Sequence, residues 1–299
     1  LTTLSNAASP DDLLQSAFGG DIRTISRSGN FGMGTSVFIR GLNSLNANAQ
    51  PLFVVDGVVW NNMYDLTSIH QGFFANVLTN IDVTDIESIT LMKDGNAIFG
   101  TKGSNGVVFI KTKRGIDMAT KINLNIVTGF SGSPKPLPLL NASQHRIYVS
   151  DIVGTAGFSN AEIAQLPYLN DNPARSTYKT YHNETDWQKE IYRTGVTTNY
   201  AINVNGGDEK ALYYFALSYT NNNGTVKESN FSRYNLRLNA DVNIVKDFKL
   251  GLNMAISNIN RKLYDDGINS ITSPTWITKV KSPFLSPFTF TSLGDKTSE

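Results

Sequence analysis

Short apolar runs broken by Gly- and Asn-rich turns fill the first 115 residues, and a different pattern takes over after them. Ser36 to Arg40, Pro51 to Trp60, Ile89 to Lys93 and Val107 to Lys113 read as short strands. Two of them, Leu52-Phe53-Val54-Val55 and Val107-Val108-Phe109-Ile110, are apolar at consecutive positions, which predicts strands buried on both faces. Thr84 followed by Glu87 has the spacing of a capping box, with Asp85 adding charge in the first turn, so a helix start is predicted there. Asp94-Gly95 marks a turn, a single helical turn is expected to end at Gly100 after Phe99, and Asn105-Gly106 suits a tight reversal. The first part reads as a small α+β unit.

From residue 116 the chain alternates cleanly. Ile122, Leu124 and Ile126 alternate with Lys121, Asn123 and Asn125, and Ile202 and Val204 alternate with Asn203 and Asn205. Tyr213, Phe215, Leu217 and Tyr219 share one face of the next run. Leu236, Leu238, Ala240, Val242 and Ile244 alternate with Asn235, Arg237, Asn239, Asp241 and Asn243, and Phe248 to Ile256 repeats the pattern. Runs of ~10 residues with one apolar and one polar face suit transmembrane β-strands. The connections at Gly206 to Glu209 and Lys246-Asp247 are short, whereas Asn221 to Phe231 and Ser133 to Gly195 are long, with short helices expected at Asn141 to Val153 and Asp186 to Arg193. Short turns alternating with long loops fit an outer-membrane barrel, and Tyr200, Tyr219, Tyr234 and Phe248 stand where aromatic girdles belong. A soluble sandwich alternates too, so that reading stays open. About five strands cannot close a barrel, so the remaining strands are expected beyond Glu299 and both chain ends are expected to be cuts.

Composition narrows the chemistry. With 26 Lys+Arg against 25 Asp+Glu there is no basic excess for nucleic acid, and 0 Cys removes thiolate metal sites and disulfides. No apolar run reaches the ~18 residues of a spanning helix, so a membrane crossing requires strands. His70, His145 and His182 lack ligand spacing, and no metal or other cofactor is expected. Gly29 to Gly34 lacks the spacing and context of a nucleotide loop. Asp82, Asp85 and Glu87 are better explained by a capped helix start than by a carboxylate pair for glycoside hydrolysis. No nucleophile or acid–base pair stands out, and an enzyme is not expected.

Three segments in order carry a family resemblance. Val37 to Leu45 with Pro51 to Val58, then Asp85 to Asp94, then Ile98 to Val108 together resemble the plug signature of SusC/RagA-like TonB-dependent outer-membrane transporters. Thr185 to Gly195 is similar to the segment preceding an early barrel strand in that family. The match departs at Phe99, where Tyr is usual, at Lys102, where Arg is usual, and in a shorter helical turn after Asp94. The resemblance implies an α+β plug domain over 1–115, followed over 116–299 by antiparallel strands of an incomplete transmembrane β-barrel with a long outer loop at about 132–195. It implies TonB-dependent import of a glycan or peptide at the bacterial outer membrane, with a SusD-like surface lipoprotein, the TonB-ExbB-ExbD complex and outer-membrane lipid as partners. A siderophore- or cobalamin-type receptor and a soluble surface carbohydrate-binding β-protein are the alternatives.

Two groups of residues follow as candidates. Arg40, Asp56, Asp85, Glu87, Lys93, Asp94 and Lys102 are expected to form a charged network holding plug to barrel, since enclosed charges need partners. Asn43, Asn46, Trp60, Asn61, Asn62 and Tyr64 lie on loops expected to face substrate, where aromatic faces beside amides suit sugar rings.

Overall fold

The computed structural model describes residues 7, 9–26, 29–44, 48–60, 76–245, 248–264, 272–291 and 295–297. They fall into two compact units: Leu1–Ser131 with Thr194–Gly224 and Glu228–Leu263, and Gly132–Arg193 with Thr225–Lys227 and Tyr264–Glu299.

The first unit begins with helix α1 (Asp11–Phe18), then strands β1 (Ile22–Ile25) and β2 (Ser36–Ile39), which pair antiparallel in a two-stranded sheet. Strands β3 (Leu52–Val55), β4 (Val58–Trp60), β5 (Ile86–Met92) and β6 (Val107–Thr112) form a four-stranded sheet in the order β4-β3-β6-β5, with β3 and β6 parallel. The two consecutive apolar runs are its central strands, and Phe53, Val55, Val108 and Ile110 join Leu14, Ile22, Val37, Ile39, Leu78, Ile81 and Ile86 in one buried core. Asp56 and Gly57 turn the β3–β4 hairpin with φ of 49° and 84°, the left-handed pair that a two-residue turn of this kind requires.

The helix start expected at Thr84 is not there. Residues Val83–Asp85 make a single 3-10 turn whose N-cap is Asp82, its side chain accepting from Thr84 N, and β5 begins at once with Ile86. Ile86, Ile89 and Leu91 belong with the core and Ile86 to Met92 pairs along β6, so sheet pairing and burial override a local capping pattern. Helix α2 (Asn96–Phe99) ends at Gly100, with φ of 58°, as the sequence suggests.

The alternating runs become β7 (Met118–Ser131), β8 (Gly195–Gly207), β9 (Ala211–Asn223), β10 (Asn230–Val245) and β11 (Phe248–Lys262). They form an antiparallel meander in the order β11-β10-β9-β8-β7. Register turns the alternation into rows: Leu124, Ile202, Leu217, Leu236 and Ile256 are successive cross-strand partners, as are Ile122, Val204, Phe215, Leu238 and Met254. Next to them Tyr200, Tyr219 and Tyr234 stand side by side, the last two rings stacked at 4.5 Å, while Phe248 pairs with Val245 at the far end of β10. This face is open to solvent (Ile122 is 68% exposed and Leu124 67%), whereas the opposite, polar face of β10 is buried. A sheet with its greasy side outside and its polar side inside is built for lipid around it. The β9–β10 connection is shorter than the expected Asn221 to Phe231, because β9 runs to Asn223 and β10 starts at Asn230.

The second unit holds helices α3 (Ala142–Thr155), α4 (Asn160–Ile163), α5 (Tyr178–Tyr181), α6 (Trp187–Ile191) and α7 (Pro274–Val280). Asn141 and Gln144 form a full capping box on α3, and Asp186 caps α6. Arg146 ties the unit together by donating to the carbonyls of Tyr168 and Leu169 and to Asp171. Trp187 Nε1 donates to the carbonyl of Ser282 at 3.0 Å. No described helix is long and apolar enough to cross a membrane.

A buried charged seam as the candidate functional site

The inward face of β10 presents Arg233, Asn235, Arg237, Asn239 and Asp241 at every second position, all on one side because a strand alternates. Opposite them lies the 3-10 turn of Val83–Asp85. Such a turn brings residues three apart to one side, so Asp82 and Asp85 both point at the strand.

Two rungs result. Arg233 donates to the carbonyls of Thr79 (2.8 Å) and Ile81 (3.3 Å) and to Asp82 Oδ2 (3.0 Å). Asp82 Oδ2 also accepts from Ser218 Oγ at 2.9 Å and Asn199 Nδ2 at 3.4 Å, and its Oδ1 accepts from Thr84 N and Oγ1. In the second rung Arg237 Nε donates to Asp85 Oδ2 at 3.2 Å, and its Nη1 lies 3.4 Å from Thr112 Oγ1 and 3.7 Å from Asp56 Oδ2. Asp85 Oδ1 accepts from the Tyr214 hydroxyl at 3.1 Å. Asp56 accepts from Thr112 N and Oγ1, at 2.8 and 2.6 Å.

The row continues along β10. Asn239 Nδ2 donates to Thr112 Oγ1 and to the carbonyl of Lys113. Arg114 donates to both Asp241 oxygens at 2.8 Å and to Asn253 of β11. From β11, Arg261 reaches the carbonyl of Gly32 (3.0 Å) and Thr79 Oγ1 (2.9 Å).

The two carboxylates differ in their surroundings. Burial pushes Asp82 up, but Arg233 and the hydrogen bonds from Thr84 and Ser218 outweigh it and hold the carboxyl below the usual range. Burial, and after it the nearby charge of Asp82, push Asp85 up against the pull of Arg237 and Tyr214. A seam of this kind holds two surfaces together through hydrogen-bonded charge, and removing one member of an enclosed pair costs about 3–5 kcal/mol.

The sequence-based candidates are placed as follows. Asp56 and Asp85 lie in the seam. Arg40 pairs with Asp94 through two nitrogens (2.9 and 3.2 Å), Lys93 with Asp21 (2.6 Å) and Glu87 with Lys111 (3.0 Å), all exposed and all within the α+β part. Arg40 raises its partner's acidity through that hydrogen bond and its charge, holding Asp94 below the usual range. Lys102 is exposed. Asn43 Nδ2 donates to Asn105 Oδ1 at 2.8 Å, and Trp60 is partly buried against the core. Asn46, Asn61, Asn62 and Tyr64 lie outside the described residues.

Asp82 was read from the sequence only as part of a capped helix start, and Arg233, Arg237, Asn199, Tyr214, Ser218 and Asn239 were not assigned to a site, although the polar face of β10 was legible. The available signal was the pair of arginines four residues apart on a strand face that must point into a barrel, where a long cationic side chain needs an anionic partner.

Comparison with known proteins bears on what this arrangement belongs to. Residues 2–107 match the family model of the TonB-dependent Receptor Plug Domain. Over 262 residues the chain is 32% identical to the TonB-dependent receptor SusC of Bacteroides thetaiotaomicron, covering 86% of this chain and 23% of that protein. It is 29% identical over 257 residues to the TonB-dependent receptor P26 of Formosa agariphila, covering 84% of this chain and 23% of that one. Among solved structures it resembles the RagAB peptide importer in its closed-closed state, with 25% identity, a TM-score of 0.75, and coverage of 99% of this chain and 33% of the other. The open-open state gives 26% identity and a TM-score of 0.70, over 88% of this chain and 30% of that one. The chain thus spans about a quarter of the length of the curated relatives it matches.

Proposed function

Because this chain is the plug and first barrel strands of a SusC/RagA-like TonB-dependent receptor, we propose that it serves active import across the bacterial outer membrane, the plug gating the barrel lumen. The observation that carries this reading is the two-faced sheet: apolar rows on the outside, and on the inside a polar strand gripping the α+β part through Arg233 and Arg237. A lipid-facing wall needs the first, and a lumen closed by a separate folded element needs the second.

In this reading residues 1–115 are the plug, 116–299 the start of the barrel, and about 132–195 the outer loop. The seam holds the plug seated, Arg40, Glu87, Lys93, Asp94 and Lys102 stiffen the plug surface, and energy arrives through the TonB-ExbB-ExbD complex. Asn43 and Trp60 belong to the substrate side of the plug in this reading. A SusD-like lipoprotein docks over the outer loops and no chemistry is done on the substrate. The substrate is a glycan or a peptide; likeness to a peptide importer supports the peptide.

The experiment is uptake by cells whose only copy of the receptor is intact, deleted or locked. Labelled oligopeptides and oligosaccharides are offered separately, with and without the proton gradient. Gradient-dependent uptake of one class, lost on deletion, is expected. Equal uptake of both classes in the deleted strain overturns import by this protein.

A further inference from the structure

Two carboxylates of the seam, Asp56 and Asp85, share the one guanidinium of Arg237. Asp56, Asp82 and Asp85 converge on Arg233 and Arg237, while Arg261, the third cation on the inward face, is directed to the Gly32 carbonyl and the Thr79 hydroxyl. A buried carboxylate whose cation is shared is costly to keep ionised, and it relieves that cost by taking a proton.

The three carboxylates are not equally supplied with donors. Asp82 accepts from Thr84, Ser218 and Arg233, and Asp56 from the N–H and hydroxyl of Thr112. Asp85 accepts from the Tyr214 hydroxyl and from Arg237 alone among the described hydrogen bonds. Arg237 is itself divided, 3.2 Å from Asp85 and 3.7 Å from Asp56.

We propose that the plug–wall seam holds a bound proton on Asp85, and that Arg237 shifts its weight between Asp85 and Asp56 as that proton comes and goes. When Asp85 is ionised it competes for the guanidinium. When it is protonated it becomes a donor, with the Tyr214 oxygen 3.1 Å away, and Asp56 is left as the charged partner of Arg237 among the described residues. The groups facing Asp85 are Asp82 from its own turn, Asp56 from the β3–β4 turn, Tyr214 from β9 and Arg237 from β10, with Arg233 beyond Asp82. The upward displacement of Asp85 by burial and by Asp82 agrees in direction.

The sign follows from linkage. A carboxyl raised in the seated plug binds its proton more tightly there than when the plug is detached. Seating is therefore favoured below the ordinary Asp range and weakens as pH rises through the raised value. The inference concerns the seated plug and is independent of what passes it.

Infrared difference titration of the complete receptor tests it, comparing wild type with Asp85→Asn, Asp82→Asn and Tyr214→Phe. Wild type minus Asp85→Asn is expected to show one carboxylic-acid carbonyl band persisting above the ordinary Asp range. Asp82→Asn removes the like charge and moves the midpoint of that band down; Tyr214→Phe removes a donor to the ionised form and moves it up. The heat-modifiable gel band of each variant reports whether the barrel has folded. A difference spectrum without an acid carbonyl in folded receptor, or a midpoint indifferent to both Asp82→Asn and Tyr214→Phe, overturns the proposal. Neither readout involves uptake, so the import reading stands or falls separately.

Discussion

Arg233 and Asp82 are held 3.0 Å apart with 2% and 1% of their side chains exposed, the most enclosed ion pair among the described residues. Arg233 also satisfies the carbonyls of Thr79 and Ile81, so it supports the chain leading into the 3-10 turn as well as the charge of Asp82.

Truncating Arg233 to Ala is expected to cost about 3–5 kcal/mol of plug seating, because Asp82 remains enclosed without its cation. Hydrogen exchange over residues 79–85 of the complete receptor should accelerate strongly. Adding Asp82→Asn should restore part of the protection; a double variant as fast as the single would show that the charge is not what matters.

Gly32 faces Phe231 so closely that no Cβ fits between them, and its φ of 74° is one that side chains rarely adopt. Gly32→Ala therefore combines strain with a clash, and a loss of about 1–3 kcal/mol is expected from the overpacking alone. Pairing it with Phe231→Ala should recover some of that loss, as read by denaturant resistance of the plug.

Asp11 supplies a pH dependence of its own. Its carboxyl is buried beneath Thr35, which donates both its N–H and its hydroxyl, while Oδ1 finds no hydrogen-bond partner among the described residues. Burial, then the charge of Asp12, push it up to about 6. The folded value lies above the unfolded one, so the native state holds the proton more tightly. This contribution is present below the unfolded Asp range and is lost as pH rises to about 6, on the order of 3 kcal/mol in all. Asp11→Asn should abolish the slope in that window and leave the α1 region better protected at neutral pH. A slope unchanged in the variant would assign the titration to another group.

On the outer face, Leu236→Arg puts a charge in the middle of an apolar row. A cost of about 2–4 kcal/mol is expected if the row lies near the bilayer midplane, falling towards the interfaces. The readout is the fraction of folded, heat-modifiable receptor in outer membranes. A substitution of Leu236 indistinguishable from wild type would mean that this face does not meet lipid.

The sheet strands were legible because period-two alternation survives averaging over more than ten residues. The four-stranded sheet was legible where apolar runs were continuous, at β3 and β6. The error at Thr84 has the same root: a three-residue capping pattern is local, while the pairing of β5 with β6 depends on residues about twenty positions away, which no local window sees. α1 and β1 carried weaker signals. Asp11 and Asp12 open α1, but its cap position is Pro10, which offers no side-chain acceptor. The seam was half legible. Arg237 sits on a polar face that the alternation exposes, whereas its partners Asp85 and Asp56 come from a turn and a hairpin whose convergence only the fold decides.

The passage from β6 to β7 has a mechanical meaning. Over Lys113 to Ile116 the Lys113 carbonyl is held by Asn239, Arg114 grips Asp241 and Asn253, and Ile116 N–H donates to Asn205. Should the grips of Arg233, Arg237 and Arg261 let go, this stretch is where the stopper stays moored to the wall.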